Sequence, residues 1–154
     1  MRDSLGGTVI ITIIVFFLVF ASAYLAYNVN YMKAFNMKNK IISIYNKYDG
    51  DCNTTCASEI KTYADSIGYN PATINCSNYT NVDSNGLYCY SQVMADKSDS
   101  SYIWVDGTEY YYYTIMTKVD IHIPIVSNTL GFDVQTLSGE TTLFKCNKSE
   151  GCKK

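Results

Sequence analysis

The sequence predicts an α+β fold in which a long N-terminal helix, partly transmembrane and partly amphipathic, packs on a small antiparallel β-sheet. Three features predict this fold. An uncharged apolar run extends from Val9 to Tyr27 and continues as an amphipathic segment to about Tyr48. A long segment after Thr108 alternates between apolar and polar residues, which is typical of a half-buried strand. All 6 cysteines follow the apolar run, which indicates a disulfide-bonded domain.

The apolar run reads VIITIIVFFLVFASAYLAY and contains neither a charged residue nor a proline. As a helix it rises about 28 Å, close to the ~30 Å hydrocarbon core of a bilayer. We therefore expect a single-pass transmembrane helix over residues 8–28, with the lipid bilayer as a partner. Residues 1–7 form a short polar leader in front of it.

The helix is predicted to continue over residues 29–49 as an amphipathic segment, because apolar residues recur there at intervals of three and four. Gly50 is suited to the left-handed conformation that ends many helices. Residues 50–154 then form the α+β domain. We expect packing on the sheet or on neighbouring subunits through Phe35, Ile41, Ile44 and Tyr45.

A cleaved export signal is the alternative for the apolar run. Ala21-Ser22-Ala23 fits the small-x-small pattern that signal peptidases cut. The apolar character continues past this point to Tyr27, whereas an ordinary signal stops near its cleavage site. The continuation favours an intact helix.

The cysteines predict a domain in an oxidising, extracytoplasmic compartment. They are Cys52, Cys56, Cys76, Cys89, Cys146 and Cys152. Proximity along the chain favours a bond from Cys146 to Cys152 and another from Cys76 to Cys89, with other connectivities open. Cys52 and Cys56 would then remain, although a separation of four residues within a helix is poor disulfide geometry. The lysines of residues 33–47 alone would favour a cytoplasmic domain, but long domains are translocated largely regardless of such charges.

The first part of the domain is predicted to hold one short helix and one strand. The helix begins near Thr55, a suitable N-cap, and ends at Gly68. Residues 86–94 are expected to form the strand. The Asn- and Ser-rich segment of residues 72–86 is expected to be a loop or a short edge strand.

The second part of the domain carries the strongest β signal. Asp106-Gly107 is a preferred hairpin pair and separates residues 101–105 from a long strand that ends near Pro124. The odd-numbered residues of that strand are expected to face the core. Further strands are expected at residues 132–137 and 140–146, joined by a turn at Ser138-Gly139.

Charge and motifs favour no catalytic or nucleic-acid-binding function. The net charge is −2 and the charged residues are interspersed, so no basic patch for nucleic acid is visible. Zinc is disfavoured because there is no C-x-x-C pair and His122, on the polar face of the long strand, is the only histidine. No nucleophile, phosphate-loop or zinc-protease motif occurs. We expect a protein that is not an enzyme and has no cofactor or metal.

A short leader ending in Gly6-Gly7, an immediate apolar helix with an amphipathic extension, and a small cysteine-containing sheet together resemble type IV pilin-like proteins. The chain most resembles TadE/TadF-type minor pilins (pseudopilins) of tight-adherence pili, to whose C-terminal end TIMTKVDIHIPIVSNTLGFDVQTLSGETTLF is similar. The resemblance implies a pilin-like fold, leader processing at Gly6 or Gly7, and other pilin-like subunits or assembly proteins as partners. Such proteins usually carry a Glu at the fifth mature position, where this chain has Ile11 or Thr12.

The expected function is that of a structural or assembly component of a cell-surface pilus or secretion apparatus, anchored in the cell membrane by one helix. The alternative is an adhesin-like binding module, secreted or membrane-anchored, with a Tyr-rich β surface at residues 110–113. A third hypothesis is a type II membrane glycoprotein, for which N-x-S/T sequons occur at Asn53, Asn75, Asn78 and Asn147.

Overall fold

Two helices and five strands are described in the computed structural model of the protein. It describes residues 2–71, 74–95, 108–119 and 135–146. In chain order the elements are α1 (Arg2–Lys47), α2 (Thr54–Ile67), β1 (Asn81–Val82), β2 (Cys89–Met94), β3 (Glu109–Val119), β4 (Gln135–Glu140) and β5 (Phe144–Cys146). The predicted strand at residues 101–105 and the turn at Asp106-Gly107 lie outside these ranges. So do the part of the long strand from residue 120 onward and residues 132–134 of the next predicted strand.

Helix α1 is one continuous helix of 46 residues. Residues 2–7 of the predicted leader are already helical, and the helix ends at Lys47, two residues before the predicted boundary. Asp49 and Gly50 then adopt left-handed backbone conformations, with φ of 50° and 80°. Glycine is favoured at position 50 for a second reason, because an added Cβ would lie 2.9 Å from Cδ2 of Phe144.

Helix α2 is capped at both ends by its own sequence. Asn53 is the N-cap, and its Oδ1 accepts hydrogen bonds from the backbone N–H groups of Thr55 (3.0 Å) and Cys56 (3.2 Å). The expectation that Thr55 caps the helix is therefore wrong, since the stronger capping residue two positions earlier takes that role. Gly68 ends the helix in the left-handed conformation, as predicted.

The sheet is antiparallel, with the order β1-β2-β3-β4, and β5 pairs with β3 beyond the end of β4. Strand β3 is central because it pairs with β2 along one side and with β4 and β5 along the other. Its odd-numbered residues include the fully buried Ile115, Thr117 and Val119, in agreement with the alternation in the sequence.

Three predicted boundaries in the sheet are wrong. The last strand, expected over residues 140–146, is limited to β5 (Phe144–Cys146), because Glu140 belongs to β4 and residues 141–143 are not in a strand. Strand β2 begins at Cys89, because Gly86 lies in a turn with φ of 68°. Gly139 lies inside β4 and not in a turn. An added Cβ at Gly139 would lie 2.9 Å from Cδ1 of Ile42 and 3.2 Å from Cδ of Lys38. This glycine allows helix α1 to approach β4 closely.

The core lies between the C-terminal half of α1, helix α2 and one face of the sheet. From α1 it receives Ala34, Met37, Ile41, Ile44 and Tyr45. From α2 it receives Cys56, Ile60 and Ala64. Apolar residues at spacings of three and four on two helices, and at a spacing of two on β3, therefore meet in one cluster.

Phe35 does not pack on the sheet as expected, because it is 42% exposed. Successive helix residues are turned by about 100°. Phe35 is therefore turned away from Ala34, which faces the sheet and whose carbonyl oxygen accepts a hydrogen bond from Oγ1 of Thr117 (3.1 Å). Instead, Nζ of Lys38 lies 4.9 Å from the centroid of the Phe35 ring.

Three lysines at heptad spacing join α1 to α2. Nζ of Lys33 donates to the carbonyl oxygen of Gly68 (3.2 Å), and Nζ of Lys40 lies 5.7 Å from the centroid of the Tyr63 ring. Nζ of Lys47 donates to Oε2 of Glu59 (2.9 Å). Residues seven apart lie on one side of a helix, so α2 runs antiparallel to α1 along this row of cations.

We predict that Ile41→Ala lowers the free energy of unfolding by about 2–5 kcal/mol, because it leaves a cavity where α1 meets the sheet. The matched control is Phe35→Ala on the same helix, which should change it by roughly 0.5 kcal/mol or less. Chemical denaturation of the full chain in detergent, followed by near-ultraviolet circular dichroism, measures both. Equal losses for the two variants would contradict the assignment of the buried face.

Candidate functional site

The N-terminal half of α1, residues 9–27, is the candidate functional site because the described chain leaves it uncovered. Phe16 is 74% exposed, the highest value among the exposed large apolar residues. The other exposed large apolar residues of this half are Val9, Ile10, Ile11, Ile13, Ile14, Val15, Phe17, Leu18, Phe20, Tyr24 and Leu25. An apolar surface of this extent is typical of a segment covered by lipid or by another protein.

Polar side chains within this half bond to the helix itself. Oγ1 of Thr12 donates to the carbonyl oxygen of Thr8 (2.9 Å), and Oγ of Ser22 donates to that of Val19 (2.8 Å). Nδ2 of Asn28 likewise donates to the carbonyl oxygen of Tyr24 (2.8 Å). These hydrogen bonds need no water, so the segment is compatible with a hydrocarbon environment.

Among the described residues, one helix is long and apolar enough to cross a membrane, over Gly7–Lys47. Length and composition are the grounds for this statement, and an N-terminal signal sequence satisfies the same two criteria. The protein therefore has a candidate membrane span or signal sequence, joined to a disulfide-bonded domain. Gly6 and Gly7, the candidate processing residues, lie in the first two turns of α1.

The C-terminal half of α1 places three of the four predicted packing residues in the core. Ile41, Ile44 and Tyr45 are buried, whereas Phe35 lies outside this core. Helix α1 thus has one half that the described part of the chain leaves uncovered and one half with a face buried by the domain.

Tyr45 stands at the centre of an aromatic cluster between α1 and the sheet. Its ring centroid lies 5.0 Å from that of Tyr113, and its hydroxyl oxygen lies 3.2 Å from that of Tyr88. Burial raises the pKa of Tyr113 to about 12 and raises the pKa values of Tyr45 and Tyr88 above the ordinary value for tyrosine. These phenols are therefore neutral at physiological pH and serve as packing groups.

The run of four tyrosines at the start of β3 is divided between the two faces of the sheet. Tyr111 and Tyr113 face the core, where both rings lie near that of Phe144. Because successive strand residues point to opposite faces, Tyr110 and Tyr112 lie on the face away from α1. A Tyr-rich surface on one face of β3 would therefore contain half of this run.

The described part of the chain contains two disulfides, Cys52–Cys56 and Cys76–Cys89, with Cα atoms 5.1 Å and 5.7 Å apart. The expected difficulty with Cys52–Cys56 does not arise, because Cys52 precedes the N-cap and only Cys56 lies in α2. The bond ties the turn after α1 to the first turn of α2. The predicted bond from Cys146 to Cys152 is not described, because Cys152 lies outside the described part of the chain.

Within residues 2–71, 74–95, 108–119 and 135–146, no group of three or more His, Cys, Asp and Glu side chains is arranged to hold a metal ion. His122 lies outside these ranges.

The lysine row on α1 and the aromatic cluster were not foreseen from the sequence. The heptad spacing of Lys33, Lys40 and Lys47 is the signal in the sequence that could have indicated the lysine row.

Comparison of the chain with models of known protein families, with curated proteins and with solved structures finds no match. The fold and the candidate site define a class no narrower than an α+β protein with a long N-terminal apolar helix and a disulfide-bonded domain. Function is therefore argued from the two halves of α1.

We predict that the protein loses stability as the pH rises from about 10 to about 12. In this window the buried phenols of the folded protein keep their protons, whereas those of the unfolded chain lose them near the ordinary pKa of 10.0. The stability that the buried phenols contribute is fully present below pH 10 and is lost as the pH rises through the raised pKa of Tyr113. Ultraviolet absorbance of tyrosinate and denaturation at each pH measure the effect.

The test variant for this pH dependence is Tyr45→Phe, which removes one late-titrating phenol and should make the loss of stability with pH shallower. Tyr31→Phe, outside the cluster, is the matched control and should keep the wild-type slope. Titration of all 15 tyrosines in one step with the fold intact would contradict the prediction.

Proposed function

We propose that this protein is a non-enzymatic, membrane-anchored, pilin-like subunit that helps to assemble or decorate a cell-surface pilus or secretion apparatus. The observation that carries the proposal is the division of α1. The N-terminal half is apolar and is left uncovered by the described part of the chain, whereas one face of the C-terminal half packs on a small sheet. In a subunit of this design, the same helix both holds a domain and enters a membrane or an assembly.

The uncovered half of α1 requires an apolar environment for energetic reasons. Burying one large aliphatic or aromatic side chain is worth about 1.5–3 kcal/mol, so the exposed residues between Val9 and Leu25 together represent on the order of 20 kcal/mol. This exceeds the 5–15 kcal/mol that typically stabilises a folded domain. Lipid, neighbouring subunits or both must therefore cover this segment.

The resemblance to TadE/TadF-type minor pilins supports a structural role. In its favour are the Gly6-Gly7 pair before the apolar run and the antiparallel sheet packed on the amphipathic half of the helix. The residue at the fifth mature position is Ile11 or Thr12, so the helix lacks the usual carboxylate for pairing with a neighbouring subunit's N-terminal amine. We therefore favour a minor role, at a tip or in initiation, over a role in the filament shaft.

The disulfides support placing the domain outside the cytoplasm, because such bonds persist in oxidising compartments. The alternative function, an adhesin-like module with a Tyr-rich β surface, is less well supported. Tyr111 and Tyr113 are committed to the core, which leaves Tyr110 and Tyr112 for such a surface.

We predict that the native protein begins at Gly7 or Thr8 and is found in the appendage fraction sheared from cells. N-terminal sequencing and intact-mass measurement of that fraction test this. The same mass measurement, made with and without reduction and alkylation, counts the disulfides. A protein that begins at Tyr24 and is free in the medium would contradict the proposal, and so would one that begins at Met1 and is absent from appendages.

The test variant for processing is Gly6→Val combined with Gly7→Val, which should retain Met1, remain in the membrane and disappear from the appendage fraction. The matched control is Ala21→Leu combined with Ala23→Leu, which removes the small-x-small pattern and should leave processing unchanged. If the control variant alone altered the N-terminus, the apolar run would be a cleaved export signal.

A further inference from the structure

The position of the domain along α1 fixes how far it stands from the end of the apolar run. Nζ of Lys33 donates to the carbonyl oxygen of Gly68, and the carbonyl oxygen of Ala34 accepts from Thr117. The C-terminal end of α2 and the last residues of β3 thus lie level with residues 33–34. Six or seven helix residues separate this level from Tyr27, which is about 9–10 Å.

This distance is slightly larger than the thickness of a lipid headgroup layer. The polar layer on each side of a bilayer is about 5–8 Å thick, the difference between the whole bilayer and its hydrocarbon core shared between two sides. If the hydrocarbon ends near Tyr27, the near end of the domain lies at the outer limit of the headgroups. We call the described part of this end of the domain its underside; it comprises Gly68, Tyr69, Asn70 and Lys118.

Tyrosines mark the same boundary on α1. Tyr24, Tyr27 and Tyr31 follow one another at spacings of three and four and therefore lie on one side of the helix. Tyr24 is 60% exposed and Tyr31 is 36% exposed, and the rings of Tyr27 and Tyr31 lie 6.1 Å apart. Tyrosine is enriched where hydrocarbon meets headgroups, because its ring is apolar and its hydroxyl group is polar.

The tyrosine side of α1 lies directly below the sheet. Residues seven apart lie on one side of a helix. Ala34, which is hydrogen-bonded to β3, lies seven residues beyond Tyr27. Lys38, which lies against Gly139 of β4, is seven residues beyond Tyr31. The tyrosines and the underside therefore border the same space next to the helix.

The underside presents groups that suit phospholipid headgroups. Its cations are Lys118, near the end of β3, and Lys33 on α1, which donates to the carbonyl oxygen of Gly68. The acids nearest to the underside along the chain are Asp65, in the last turn of α2, and Asp120, two residues after Lys118. The hydroxyl of Tyr69 donates to the carbonyl oxygen of Lys118 (3.0 Å) and accepts from its N–H (3.1 Å). This pair of bonds holds the end of β3 beside the end of α2.

We propose that the underside of the domain is a lipid-contact surface that rests on the phospholipid headgroup layer, with Tyr24, Tyr27 and Tyr31 setting its depth. The inference rests on the membrane-spanning part of the proposed function and not on assembly into an appendage. A small domain held at this height and orientation would present its far end, near Gly50, to other proteins.

The test places the full chain in lipid nanodiscs in which a few lipids carry a gadolinium chelate on the headgroup, with lanthanum as the diamagnetic reference. Nuclear magnetic resonance then reports broadening of individual backbone amides. We expect strong broadening at Gly68, Asn70 and Lys118 and none at Gly50 and Cys56, which lie level with the end of α1, about 20 Å further from the membrane. Equal broadening at both ends, or none at the underside, would overturn the inference.

Two triple variants test the role of the tyrosines. Replacement of Tyr24, Tyr27 and Tyr31 by Ala should abolish the difference between the two ends, whereas replacement of all three by Trp, which also favours the interface, should preserve it. If both variants kept the difference, the tyrosines would not set the depth and this part of the inference would fail.

Flotation of the full chain reconstituted with lipid vesicles separates this inference from the proposed function. A chain that fails to float is not membrane-anchored, and both proposals then fail. A chain that floats but shows no difference between its two ends overturns only the lipid-contact surface. Absence of the protein from appendages, with the difference present, overturns only the assembly role.

Discussion

The packing of the C-terminal half of α1 on β3 is the contact on which the rest of the structure depends. Ile41 and Ile44 share one core with Ile115 and Val119, and Thr117 donates from within that core to a helix carbonyl. Because β3 is the central strand, this contact fixes the sheet to the helix, and the close approach at Gly139 extends it to β4. It also fixes the height at which the domain stands above the apolar half.

Charge has a structural role on the other side of the same helix. Lys33, Lys40 and Lys47 look like a topology signal in the sequence, but in the fold they contact a carbonyl, a ring and a carboxylate of α2 and its cap. The pKa of Lys47 is raised and that of Glu59 lowered by their mutual hydrogen bond. These lysines therefore have a structural role in joining α1 to α2.

Local rules predicted much of this fold, and tertiary contacts decided the rest. Periodicity predicts one apolar face that includes Phe35, Ile41, Ile44 and Tyr45, and only the position of the sheet shows that Phe35 is left partly exposed. The sequence shows a glycine at position 139 without showing that a helix must approach it. Separation along the chain disfavours the Cys52–Cys56 bond, whereas in the fold Cys52 lies before the N-cap Asn53 and can reach Cys56. Function was harder still, since anchors, export signals and pilin-like subunits share the apolar pattern of α1.

The central claim is that α1 has a lipid-covered half and a sheet-covered half, and hydroxyl-radical footprinting of the full chain in lipid nanodiscs tests it most directly. Met32 is 62% exposed and Met37 is fully buried, so they form a matched pair on one helix. The account predicts that Met32 is oxidised, Met37 is protected by the sheet, and Phe16 and Phe17 are protected by lipid. Oxidation of Met37 as rapid as that of Met32, or of Phe17 as rapid as that of Phe35, would contradict it.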